Sequence, residues 1–186
     1  MMFNDKWVEE KKPCEAGLAF LNTQTDKSAV SVINALVVAK HYDWATWALT
    51  NSFTKRQNVV FAIYAAEQVI DIFEKEVPGE ERPRASIETA KRWLKGEATE
   101  EECRVAADAA YASSAYYAAA YAASSASYAS YAAASSASSA AASYAYGYAS
   151  RAASSASASA SAAASAMREK IVAYGLTLLQ SEGAQS

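Results

Sequence analysis

Histidine occurs once in this chain, cysteine twice, proline three times and glycine six times in 186 residues. Each scarcity removes a class of function. Cys14 and Cys103 are too few and too far apart for a disulfide framework, which fits a reducing, cytoplasmic setting. With one histidine, His41, and neither a CxxC pair nor HExxH, a zinc site has no ligand set to build on, and no metal is expected. The glycines are scattered and none forms GxGxxG, so no phosphate-cradling loop or nucleotide cofactor is expected. The start, Met1 to Lys12, is charged and has no apolar signal core. No strongly apolar run reaches membrane length, and the one long uncharged stretch is too rich in Ser and Tyr to insert, so no membrane partner is expected.

Charge is scarce in the second half. Residues 1–104 hold most of it; from Val105 to Ala166 only Asp108 and Arg151 are charged. The net charge of -3 argues against nucleic acid as a partner. What fills residues 105–166 is Ala, Ser and Tyr. Ala is the strongest helix former, and neither Pro nor Gly interrupts the chain from Val105 to Tyr146. Ala-Ser-Ser recurs at 112–114, 123–125 and 134–136, and Tyr117 and Tyr128 share that spacing of eleven. Eleven residues make three turns, so the same face returns along a nearly straight helix. Unbroken from Thr99 to Gln180, it would run roughly 120 Å. A turn is therefore expected, at Gly147 or in the Ser run 135–139, giving a hairpin. Tyr111, Tyr116, Tyr117, Tyr121, Tyr128 and Tyr131 supply its apolar area and favour packing between helices, in one molecule or as a homo-oligomer.

The first half reads as a helical bundle. Pro13 suits the first turn of a short helix to about Asn22. Asp26 or Ser28 caps the next, with Val30, Ile33 and Leu36–Val38 at helical spacing. Trp44 and Trp47 share a helical face. Arg56 to Glu76 is the strongest amphipathic segment, with Val59, Val60, Ile63, Ala66, Ile70 and Phe73 repeating at three and four residues. Pro78 to Pro83 makes a tight link, Arg84 to Leu94 is a helix ended near Gly96, and Thr99 with Glu100–Glu102 opens the long helix. The all-α expectation divides the chain into a bundle over residues 1–98 and a long-helix unit over 99–186.

Catalytic signatures are missing. His41 with Asp43 lacks a Gly-x-Ser-x-Gly elbow, and Cys14 has no local thiol-protease signature and reads as a buried structural cysteine. Glu67, Asp71 and Glu74 fall on one helical face, either a solvated face with basic partners or a weak cation site. Arg82 and Arg84 flank Pro83 before a helix. They either clamp a phosphate or carboxylate or pair with Glu67, Asp71 or Glu81.

In order and spacing, several segments resemble the immunity protein family called Imm-5. They are Cys14–Gly17 with Phe20, then Trp44 and Trp47, Arg56–Glu67, Ile70–Glu74, Pro78, and Arg82–Ala85 followed by an Ala-rich, aromatic-studded region. The resemblance implies protection against bacterial polymorphic toxins, with relatives in phage genomes, and brings no catalytic residues with it. The leading expectation is a non-catalytic protein that binds and neutralises a toxin or defence component, an immunity or anti-defence role. Its candidate contact residues are Arg56, Arg82, Arg84, Trp44, Trp47, Tyr64, Glu67 and Asp71. Two alternatives stay open: a sponge for a nucleotide-type signal, with the arginines on phosphate and the aromatics on a base, and a structural assembly protein.

Overall fold

A helix leaves its first backbone N–H groups without partners, and a short polar side chain just ahead of it takes one up. The computed structural model, which describes residues 1–114, 133 and 161–183, shows this device repeatedly. Asn4 Oδ1 accepts from the Trp7 N–H at 3.0 Å and starts α1 (Asp5–Lys11). Ser28 caps α3 (Ala29–Val38) and is itself held by Asp26, which accepts from the Ser28 N–H at 2.8 Å. Thr54 and Gln57 form a reciprocal capping box at α5 (Lys55–Glu67). Thr99 and Glu102 do the same for α8 (Glu100–Ser114), with the Thr99 N–H donating to Glu102 Oε2 at 2.7 Å. The remaining helices are α2 (Glu15–Asn22), α4 (Tyr42–Thr50), α6 (Ile70–Glu76), α7 (Arg82–Leu94) and α9 (Ser161–Gly183). The fold is all-α; among the described residues the only β feature is an isolated bridge between Met2 and Ser28.

Four sequence expectations are corrected. Pro13 lies ahead of α2 rather than in its first turn, because Cys14 is the cap: its Sγ accepts from the Gly17 N–H at 3.4 Å. That cysteine is exposed, and Cys103 is the buried one. The Arg56–Glu76 segment is two helices. Gln68 turns its side chain back to the Tyr64 carbonyl at 3.0 Å, and Val69 leaves helical geometry at φ -129°. Arg82–Pro83–Arg84 opens α7 from within its first turn, where Pro is tolerated because its missing N–H is one that the helix leaves free. The expected turn at Gly147 or 135–139, and Tyr116, Tyr117, Tyr121, Tyr128 and Tyr131, lie outside the described residues.

The core brings distant parts of the chain together. Helix α9 packs on α3, α4 and α5, while α8 lies along α7. Ile33, Leu49, Phe61, Phe73, Ile87 and Ile171 are fully buried in one cluster. Burying a side chain of this kind contributes about 1.5–3 kcal/mol. Gly175 sets the approach of α9: a Cβ there would lie 2.7 Å from Leu49 Cδ1 and 3.0 Å from Phe61 Cε2. Along α8, Cys103, Ala107 and Ala110 are fully buried, so the Ala-rich sequence already packs helix against helix at its start.

Candidate functional site

The residues singled out from sequence separate into three places. The first is a charged edge where α5, α6 and α7 meet. Arg84 Nη2 donates to Asp71 Oδ1 at 2.9 Å and to Glu74 Oε2 at 2.7 Å, and its Nε also engages Glu74. Lys91 bridges Glu67 at 2.9 Å and Glu88 at 2.6 Å. Arg82 is gripped by Glu80 rather than by Glu81. Apart from Glu80, which is mostly covered, these side chains are a third to three-quarters exposed. The guanidinium of Arg84, donating to Glu74, holds that carboxyl below its ordinary range, and Arg82 does the same for Glu80. Hydrogen bonds to Glu88 and then Glu67 push the Lys91 ammonium up. Together these side chains form a lattice of alternating sign, with Ile72 exposed beside Asp71. Arg56 lies apart, exposed in the first turn of α5.

The second place is the seam between α5 and α9. Tyr64 stacks on Tyr174 with ring centroids 3.8 Å apart, and Gln57 Nε2 donates to the Leu178 carbonyl at 3.1 Å. Burial raises both tyrosines above the ordinary phenol range. Tyr64 therefore spends its ring face on a packing partner.

The third place is an aromatic layer built by α1 to α4. Phe3 stacks on Trp7 at 4.1 Å, Trp7 meets Trp47 edge-on at 5.6 Å, and Trp44 stacks on His41 at 4.5 Å with Phe20 edge-on at 6.4 Å. These rings, His41 aside, line a cavity of about 400 Å³, with Lys12, Cys14 and Asp43 also in its lining. A smaller cleft of about 180 Å³ shares Asp43 and Trp44 with it and is lined further by Lys40, His41, Tyr42 and Arg168. Sequence reasoning singled out Trp44 and Trp47 but missed Phe3, Trp7, Lys40 and Arg168. Trp7 and Phe3 were legible only as apolar residues in a charged start. Arg168 reaches this cleft from the far end of the chain, which no local pattern announces.

The nucleotide reading from sequence needs the arginines and the aromatics at one site. The structure instead places Arg82 and Arg84 on the charged edge, Trp44 and Trp47 in the aromatic layer, and Tyr64 in the seam.

The family described as Imm-5 like putative immunity protein matches residues 48–175. This chain belongs to that family. No curated protein and no solved structure matches the chain. The segment that makes it an Imm-5 like protein starts inside α4 and ends at Gly175, the residue that lets α9 close on Leu49 and Phe61. It contains the whole charged edge. The aromatic layer, apart from Ala48 at its lining, comes from residues ahead of it. Among the described residues, no helix of this family member is long and apolar enough to cross a membrane.

Proposed function

We propose that this Imm-5 like protein is a non-catalytic binder that neutralises a protein toxin or defence component by docking it on the charged edge of α5, α6 and α7. The observation that carries this reading is the lattice Glu67–Lys91 and Asp71–Arg84–Glu74, exposed on rigid helices within the segment that the family shares. Charges fixed by one another keep their positions when a partner arrives, so docking loses little side-chain freedom. Alternating signs select a complementary surface and repel others. Ile72 supplies apolar contact beside Asp71. Hot spots of this kind concentrate binding energy in a few residues.

The experiment is native mass spectrometry of the chain purified from cells that carry its natural neighbouring genes, set beside an Asp71→Lys/Glu74→Lys variant. A co-purifying protein on the native chain, lost from the variant at unchanged helix content, is the expected result. A native chain that emerges without a protein partner, or a variant that retains it fully, contradicts the reading.

A further inference from the structure

The aromatic layer is not used by that docking reading and has the features of a small-molecule site. Its cavity, about 400 Å³, falls in the range of ligand pockets, and five aromatic side chains line it. A second cleft shares Asp43 and Trp44 with it and is lined further by Lys40, Arg168, His41 and Tyr42, Asp43 being the one carboxylate in its lining. Among the described residues neither Lys40 nor Arg168 is in an ion pair, unlike Arg84 or Lys91 on the charged edge.

We propose that the two adjoining clefts, which share Asp43 and Trp44, bind a small aromatic anion, its flat ring in the aromatic cavity and its carboxylate or phosphate against Lys40 and Arg168. The ring gains offset or edge-on contacts with Trp7, Phe20, Trp44 and Trp47. The guanidinium of Arg168 takes the anion in a forked geometry, and Lys40 adds a point charge. Asp43 opposes the anion and limits affinity. The exposed thiol of Cys14, in the cavity wall, is shielded when the ring is in place.

The test is titration calorimetry on the full chain with indole-3-acetate, its neutral analogue tryptophol, and adenosine monophosphate. Indole-3-acetate is expected to bind about tenfold tighter than tryptophol. Lys40→Gln/Arg168→Gln removes that preference without weakening tryptophol, and Asp43→Asn strengthens the anion severalfold. If adenosine monophosphate binds tighter than indole-3-acetate, the anion is a phosphate; if weaker, a carboxylate. A second readout needs no variant: saturating indole-3-acetate slows alkylation of Cys14 by iodoacetamide several-fold. No saturable heat from either anion, unprotected Cys14, or an anion preference that survives in the double variant overturns the proposal. None of these outcomes depends on a protein docking at α5–α7, so the two readings fail separately.

Discussion

The seam between α4, α5 and α9 and the edge between α6 and α7 are built from opposite materials. In the seam, Leu49 and Phe61 are fully buried, a glycine admits the neighbouring helix, and the polar link from Gln57 to the Leu178 carbonyl is largely shielded. At the edge, the contacts are ion pairs with side chains a third to three-quarters exposed. Interior contacts depend on shape, and a misfit of one methyl group is felt. Exposed ion pairs are screened and each adds at most about 1 kcal/mol. The seam therefore holds the fold, and the edge is free to be specified by a partner.

The sharpest way to break the contrast is at Gly175. Gly175→Val forces a branched side chain against Leu49 and Phe61 and is expected to cost about 3 kcal/mol, or roughly 10 °C in melting temperature. Gly175→Ala, with helix propensity partly offsetting the clash, costs about 1–2 kcal/mol. Urea and thermal unfolding measure both, and a valine variant as stable as the parent would mean that α9 does not pack as described. Next in size is Gln57→Ala, which removes both the bond to Leu178 and half of the capping box at α5. The expected loss is about 1–2 kcal/mol. Tyr64→Leu, which gives up a ring stack while keeping apolar bulk, is expected to cost about 1 kcal/mol. A double-mutant cycle with Tyr174→Leu isolates that coupling.

The smallest stability effect belongs to the edge. Arg84→Gln is expected to change unfolding free energy by less than about 1 kcal/mol at neutral pH. Its signature is in the pH dependence. Arg84 depresses the folded-state pKa of Glu74. That stabilisation is present above the ordinary glutamate pKa and is lost as pH falls through the depressed value. Stability of the native chain therefore declines with acid more steeply than that of the Arg84→Gln variant. Equal acid limbs, in urea titrations from neutral to acid pH, would show the pair to be energetically silent.

Sequence and structure agree most closely where a single local signal decides. Thr99 marks a helix start, and Ser28 was one of two residues that could, because a hydroxyl near free N–H groups has few other uses there. Gly96 ends α7 at φ 77°, as expected for a residue without a Cβ. Periodicity over Arg56–Glu76 located the apolar face but concealed the break at Gln68, because both helices present that face to the same core. The pairing of Arg84 with Asp71 was among the readings open from sequence. Its partner Glu74, and the choice of Glu80 by Arg82, depend on where α6 stops and α7 starts. Gly175 had no sequence signature at all. A glycine inside a helical pattern reads as a weak spot until Leu49 and Phe61, more than a hundred residues earlier, are placed against it. The same holds for Arg168 beside Trp44.

The central claim is that the charged edge serves a partner and the seam serves the fold. Native mass spectrometry of the chain from cells with its natural neighbouring genes, run in parallel on Asp71→Lys/Glu74→Lys and matched to urea midpoints, tests it directly. The account predicts a protein complex on the native chain, its loss from the variant, and unfolding free energies from the urea curves within about 1 kcal/mol of each other. A variant that keeps the partner, or that loses it only by unfolding, would contradict it.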